Sequence, residues 1–112
     1  MIVVLFEVWP HEESRQTYFD IAAQLRADLE NQPGFISVER FESLSAPGKI
    51  LSMSFWRDED AVAQWRRREK HLEAQLNGRA HLFRAYDIRV AEVLRAYGMH
   101  DRAQAPSDFA GR

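Results

Sequence analysis

The chain has 112 residues, which fits a single domain with one modest hydrophobic core. Hydrophobic residues make up 46% of the chain and charged residues 29%, which excludes disordered and collagen-like classes. The 15 Lys and Arg stand against 17 Asp and Glu, for a net charge of −2, and the longest basic run is "RRR" at 66–68. We therefore expect no nucleic-acid partner.

Cysteine is absent, which removes disulfides, thiolate zinc sites and a cysteine nucleophile together. The helical segments contain no H-x-x-x-H pair and no carboxylate cluster at ligand spacing, so we expect no metal site. The apolar start of the chain is short and lacks the features of a signal peptide. No run approaches the roughly 20 apolar residues that cross a bilayer. These observations predict a cytoplasmic protein with no membrane partner.

The first half of the chain predicts a strand, a helix and a second strand. Residues 2–9, "IVVLFEVW", are apolar on both parities, as in a strand that is covered on both faces, and Pro10 ends it. Acidic residues at 12 and 13 open an amphipathic helix whose apolar stripe includes Tyr18, Ile21, Ala22, Leu25 and Leu29. "NQPGF" at 31–35 ends the helix, and residues 35–43 alternate as a strand.

The second half predicts a returning strand, a second helix and a last strand. "SAPGK" at 45–49 is a turn, so residues 50–56 pair back as a hairpin. Asp58 is the expected N-cap of a helix that runs toward Gly78, with an alternative break between Arg67 and Glu69. Residues 83–98 form a long final strand, although "AEVLRAYG" at its end also fits a helix.

This order is β-α-β-β-α-β, the ferredoxin-like α+β fold, with a four-stranded antiparallel sheet and both helices on one face. Apolar residues that two helices need not cover then mark the other face as an interface. Two such sheets packed face to face form a homodimer, a dimeric α/β barrel. The apolar residues expected at this interface are Phe35, Phe41, Leu51, Met53 and Phe55. We expect a domain at 1–98 and a tail or arm at 99–112.

Four segments carry a resemblance to a known family. "VVLFEVWP", "PGFISVERFES", "PGKILSMSFWRDEDAVAQWR" and "YDIRVAEVLR" resemble the antibiotic biosynthesis monooxygenase (ABM) domain family of dimeric α/β-barrel proteins. The likeness covers about residues 1–98. The family includes cofactor-free oxygenases of polyketide quinones, haem-degrading monooxygenases, small quinol oxygenases and members with no assigned activity. The resemblance implies the fold more directly than the chemistry.

The resemblance also implies a pocket between the helices and the sheet. Trp65 matches the family's tryptophan on helix two, and His71 lies where members often have a histidine. Haem-degrading members place their axial histidine near Gln75 and an asparagine near Glu7, so this chain departs from them at both positions. Each candidate can also be explained without a catalytic role. Trp65 can be a core residue, and His71 can face solvent. If Glu7 faces inward, it can form an ion pair with Arg40 or Arg89, or burial can raise its pKa.

The resulting hypothesis is a monooxygenase that needs neither metal nor flavin and acts with O₂ on an aromatic polycyclic or quinol-type substrate. His71, Trp65 and Glu7 are the catalytic candidates. The substrate-binding candidates are Trp56, Phe83, Tyr86 and Arg40. Two alternatives stay open: a dimeric protein that binds a small hydrophobic ligand without turnover, and a haem-binding and haem-degrading monooxygenase.

Overall fold

The element order confirms the predicted β-α-β-β-α-β fold. The computed structural model describes residues 1–75 and 82–107, with side chains described for 1–72 and 82–107. A 3-10 turn at Glu12–Ser14 precedes the first helix, and the predicted helix end at Gly78 lies outside the described residues. The strands and helices are β1 Ile2–Pro10, α1 Arg15–Glu30, β2 Phe35–Glu42, β3 Ile50–Trp56, α2 Glu59–Gln75 and β4 Phe83–Glu92.

The four strands form one antiparallel sheet in the order β2-β3-β1-β4. In the register of the central pair, Ile2 lies opposite Trp56 and Val8 opposite Ile50. Because side chains alternate between the two faces of a strand, the even-numbered residues of β1, β3 and β4 share one face. That face carries both helices, and the odd-numbered residues form the outer face, except for Phe83, which lies on the helix side after a register shift between Trp9 and Pro10.

The core between sheet and helices consists of two clusters. One cluster surrounds the start of α2 and contains Trp56, which is 1% exposed. The other lies under α1 and is built on Tyr18, also 1% exposed. The remaining buried members of the first cluster are Ile2, Leu29, Ala61, Val62 and Trp65, and those of the second are Val8 and Ile50.

The start of α2 is fixed by a capping side chain and by a glycine. Asp58 Oδ1 accepts a hydrogen bond from the Ala61 backbone N–H at 2.8 Å, which confirms the predicted N-cap. Gly34 has φ +84°, and a Cβ placed on it would lie 2.5 Å from Ala61 Cβ. Only glycine therefore lets the turn before β2 approach the first turn of α2 so closely. The helix continues to Gln75, so the alternative break between Arg67 and Glu69 is wrong.

Phe35 does not lie on the outer face with the other residues predicted to form an interface. The register of β2 against β3 shifts between Phe35 and Ser37, where Phe35 pairs with Trp56 and Ser37 with Phe55. This irregularity turns Phe35 to the helix side, where its ring meets Trp56 edge-on at 5.4 Å between centroids. The prediction for Phe35 is therefore wrong, because one inserted residue reverses the side of every earlier residue in a strand.

The last strand is shorter than predicted and is followed by an irregular segment. β4 ends at Glu92, and residues 93–106 contain neither helix nor strand. This segment is tied locally: the Ala96 N–H donates to Gln104 Oε1 at 2.7 Å, and the Arg102 guanidinium lies 5.4 Å from the Tyr97 ring centre. Within residues 1–75 and 82–107, no helix is both long and apolar enough to cross a membrane.

Candidate functional site

A cavity of about 630 Å³ lies between the helices and the helix-facing side of the sheet. Its volume falls within the range of small-molecule binding sites. All four strands supply its floor, and both helices supply its roof. The floor includes Val4, Phe6, Val38, Arg40, Ser52, Ser54, Trp56, Phe83, Tyr86, Ile88 and Val90, and the roof Tyr18, Ala22, Leu25, Leu29, Val62, Trp65, Arg66, Glu69 and Lys70.

One end of the cavity is built on two stacked indole rings. The rings of Trp56 and Trp65 lie 6.4 Å apart between centroids at an interplanar angle of 27°. Trp56 Nε1 donates to Ser54 Oγ at 2.9 Å, so its polar atom is satisfied inside the core. Trp65 is 7% exposed, and both indoles line the cavity. This end offers a planar apolar surface suited to a ring system.

The opposite end is a cluster of edge-to-face aromatic rings. Phe6 meets both Phe83 and Tyr86 at 5.7 Å between ring centroids, and Tyr18 meets Phe83 at 5.6 Å. Tyr86 is 57% exposed, so it forms a wall at the open side of the cavity and not part of the core. The arrangement gives the cavity aromatic walls at both ends.

Polar groups line the cavity from the tryptophans to the aromatic cluster, with Ser52 and Arg40 in the same row of the sheet as Phe6. Ser52 and Ser54 of β3 face the helices, and Arg40 lies opposite Ser52 on β2. Arg40 Nε is buried and has no hydrogen-bond partner among the described residues. On the helix side, Arg66, Glu69 and Lys70 line the cavity. Its described lining thus contains three cations and one carboxylate.

His71 is not brought to the cavity. Its side chain is exposed, and it is not among the described residues that line the cavity. His71 follows Trp65 by six residues, which at about 100° per residue places it roughly 120° away around the helix. The structure therefore does not bring together the two residues predicted to supply the base and the indole.

Glu7 lies on the outer face of the sheet, on the opposite side from Trp65. Its carboxylate pairs with Lys49 Nζ at 2.8 Å and with Arg89 Nη1 at 3.2 Å. The hydrogen bond from Lys49, assisted by the charges of Lys49 and Arg89, holds the pKa of Glu7 below its ordinary value of 4.5. The ion pair with Arg89 was one of the predicted readings, whereas the raised pKa is wrong. Arg40, the other predicted partner of Glu7, lies on the helix-facing side of the sheet.

Five of the seven predicted site residues therefore line one cavity: Trp65, Trp56, Phe83, Tyr86 and Arg40. The sequence reasoning missed the inward serines Ser52 and Ser54 and the carboxylate Glu69. A signal for the serines was present, because two polar residues alternate on the same parity as Ile50 and Trp56 in "ILSMSFW". Glu69 follows Trp65 by four residues, which places it on the same side of α2.

Among the described residues that line the cavity, none is a His, Cys or Met. Iron in haem proteins is held by His, Cys, Met or Tyr. Of these types, the described lining contains Tyr18 and Tyr86, and both rings are engaged with Phe83. No cluster of three or more His, Cys, Asp or Glu that could hold a metal ion is found in the described part of the chain. We assign no haem step to this site.

The fold and cavity define a small α+β protein with an internal site between helices and sheet, and the sequence places the chain in a family. A family description named antibiotic biosynthesis monooxygenase matches residues 1–76, so the chain belongs to the ABM family. The chain is also 45% identical, over 93 residues, to the jasmonate monooxygenase ABM of Pyricularia oryzae. The match covers 83% of this chain and 43% of that protein, so the chain spans less than half of that relative.

Solved structures of low sequence identity share the fold. A single-residue mutant of SnoaB, a cofactor-independent oxygenase from Streptomyces nogalater, has a TM-score of 0.69 at 16% identity, over 85% of this chain and 94% of that one. A variant of MhuD, with two manganese protoporphyrin IX molecules bound per active site, has a TM-score of 0.68 at 16% identity, over 88% of this chain and 99% of that one. The same fold thus accommodates a cofactor-independent oxygenase and a porphyrin-binding protein.

Proposed function

We propose that this chain is a monooxygenase that uses O₂ without a metal or flavin and acts on a planar, electron-rich molecule bound in the cavity between helices and sheet. The observation that carries the proposal is that Trp65, Trp56, Phe83, Tyr86 and Arg40 line one cavity of about 630 Å³. Membership of the ABM family supports the reaction class. The stacked indoles and the aromatic cluster support a substrate with rings.

The reaction that suits such a site begins with the loss of a proton from an activated ring carbon. The carbanion then donates electrons to O₂, and a C–OOH group forms at that carbon. Loss of water leaves a ketone, so the substrate CH₂ and O₂ become C=O and H₂O. The substrate supplies all the electrons, and the protein needs to bind, orient and stabilise the ionised form.

The described cavity residues support these tasks. Trp65 offers a ring for stacking, and the cations Arg66 and Lys70 favour an anionic substrate over its neutral form. Glu69 is the carboxylate among the described lining residues, and we assign it the role of proton acceptor in place of His71 and Glu7. The apolar walls limit the access of water to the carbanion.

Oxygen uptake with anthrone tests the proposal. After subtraction of uncatalysed oxidation, we expect one O₂ consumed per anthraquinone formed, with one oxygen atom of labelled O₂ in the product. Glu69→Gln should lower turnover by about a hundredfold or more, as for loss of a general base. Gln64→Ala, an exposed change on the same helix, is the matched control. No uptake above background across a panel of anthrones and hydroquinones would contradict the proposal.

A second substrate class is supported by the 45% identity to a jasmonate monooxygenase. Jasmonate therefore belongs in the same oxygen-uptake panel. If jasmonate is turned over and the anthrones and hydroquinones are not, the site of the first proposal stands and jasmonate replaces the aromatic substrate.

We also propose that a second copy of the chain packs on the outer face of the sheet. This face carries apolar side chains from both central strands, and Phe41 on β2 adds a ring that is 39% exposed. The ion pairs of Glu7 lie within it. A surface of this kind is typical of an interface between subunits. Its apolar residues on the two central strands are Val3, Leu5, Trp9, Leu51, Met53 and Phe55.

Light scattering during size-exclusion chromatography tests the dimer. The chain of 13.1 kDa should elute with twice that mass. Met53→Glu, which places a charge in the centre of the outer face, should give the monomer mass, whereas Gln24→Glu on the exposed side of α1 should not change it. A wild-type chain that is monomeric at micromolar concentration would contradict the assignment.

A further inference from the structure

Arg40 is the feature of the cavity that the reaction proposed above leaves unexplained. Its side chain is half-buried in the floor, and its Nε is shielded from solvent without a hydrogen-bond acceptor among the described residues. A guanidinium has five N–H donors and no acceptor, and a buried donor without a partner is unfavourable. We therefore expect a ligand with a hydrogen-bond acceptor to bind beside Arg40.

β3, the strand that pairs with β2, has no carboxylate, and two carboxylates elsewhere in the sheet are already engaged. Glu42, the next residue on the same side of β2, pairs with Arg15. Glu7 lies on the other face and pairs with Lys49 and Arg89. Neither carboxylate is available to the Arg40 guanidinium.

The position of Arg40 in the register sets where a ligand would place its polar end. Arg40 lies opposite Ser52, whereas Trp56 stands four residues further along β3. At about 3.3 Å per residue, the two rows are roughly 13 Å apart. The Ser52 hydroxyl faces the same cavity, beside Arg40. A ligand can therefore meet Arg40 and Ser52 with its polar end and extend its rings toward the stacked tryptophans.

We infer that the cavity binds an apolar ligand that carries a carboxylate, with the carboxylate held by the Arg40 guanidinium and the Ser52 hydroxyl. A small rotation that turns the Nε edge toward the cavity would let Nε–H and a terminal N–H donate to the two carboxylate oxygens in parallel. Lys70 and Arg66 add positive charge on the helix side. The inference rests on the proposed function only in taking this cavity as the substrate site.

Two probes of matched shape test the inference: 2-anthracenecarboxylate and the neutral 2-anthracenecarboxamide. Dissociation constants are measured by fluorescence on the wild-type chain, Arg40→Met, Arg40→Lys and the control Arg26→Met. Arg26 is exposed on α1 and is not among the residues that line the cavity. Circular dichroism of each variant verifies that it is folded.

The wild-type chain and Arg26→Met should bind the carboxylate roughly ten- to a hundredfold more tightly than the amide, as for hydrogen bonds to a charged group. Arg40→Met should abolish this preference with little change in affinity for the amide. Arg40→Lys, which keeps the charge and loses the planar fork, should retain part of it. Equal affinity of the wild-type chain for both probes, no binding of either, or a preference that survives in Arg40→Met would overturn the inference.

Oxygen uptake with neutral anthrone is measured separately on the same proteins. Uptake without a carboxylate preference would overturn the inference and leave the proposed function intact. A carboxylate preference without uptake on any substrate of the panel would do the reverse. The failures of the two proposals are therefore distinguishable.

Discussion

Replacement of Gly34 by alanine tests how the start of α2 is positioned over the sheet. The glycine has φ +84°, and a Cβ there would lie 2.5 Å from Ala61 Cβ and 3.5 Å from Arg57 Cβ. Ala61 Cβ is bonded directly to the helix backbone, so it cannot rotate away. The first turn of α2 would have to move by roughly 0.9 Å to reach the 3.4 Å at which contacts become ordinary.

The expected loss in free energy of unfolding has two parts, backbone strain and overpacking, and the same substitution at Gly48 separates them. A left-handed φ costs a non-glycine residue about 1–2 kcal/mol, and overpacking adds about 1–3 kcal/mol. Gly34→Ala should therefore lower the free energy of unfolding by about 2–5 kcal/mol. Gly48 has φ +82° with nothing within 4 Å of its added Cβ, so Gly48→Ala should lose only the first part.

Urea denaturation of both variants provides the measurement, with unchanged m-values as the condition for comparing midpoints. The double variant Gly34→Ala with Ala61→Gly should recover the overpacking part, seen as a coupling energy of about 1–3 kcal/mol between the two positions. Equal destabilisation by Gly34→Ala and Gly48→Ala, or no coupling with Ala61→Gly, would refute the close approach of this turn to α2.

Further predictions concern the cap and the two kinds of aromatic residue in the cavity wall. Asp58→Ala should lower the free energy of unfolding at pH 7. The hydrogen bond from the Ala61 N–H and that from Arg57 hold the pKa of Asp58 below its ordinary value of 3.8. The difference in free energy of unfolding between wild type and Asp58→Ala should therefore narrow as the pH falls below 3.8. A difference that stays constant with pH would exclude this linkage. Trp56→Ala should cost about 3–5 kcal/mol because the ring is 1% exposed. Tyr86→Ala, at 57% exposure, should cost about 1 kcal/mol or less and mainly weaken ligand binding. A similar loss of stability in both variants, measured by urea denaturation, would show that Tyr86 belongs to the core.

The fold was predictable because each element has a local signal. Pro10 ends β1, Asp58 caps α2, and the turn before β3 is visible in its composition. The side on which Phe35 lies was not predictable. An alternating pattern assigns faces only while the register is unbroken, and the shift between Phe35 and Ser37 arises from how the two strands pair.

The site was partly predictable for a related reason. β1 is apolar on both parities, so its sequence does not tell which side faces the helices, and Glu7 was assigned to the pocket without that information. In the sheet, the even-numbered side faces the helices, and Glu7 is left on the outer face with Lys49 and Arg89. The position of His71 could have been judged from helical geometry, since six residues after Trp65 is a poor match to a period of 3.6.

Oxygen uptake with anthrone by the wild-type chain, Trp65→Phe and His71→Ala shows whether the reaction takes place in the cavity under Trp65. If the cavity under Trp65 is the reaction site, Trp65→Phe should reduce turnover by about tenfold or more, because misplacement of a bound substrate is costly. His71→Ala should stay within about twofold of wild type, because that side chain is exposed and outside the described cavity lining. A loss of turnover in His71→Ala together with full turnover in Trp65→Phe would place the reaction outside this cavity.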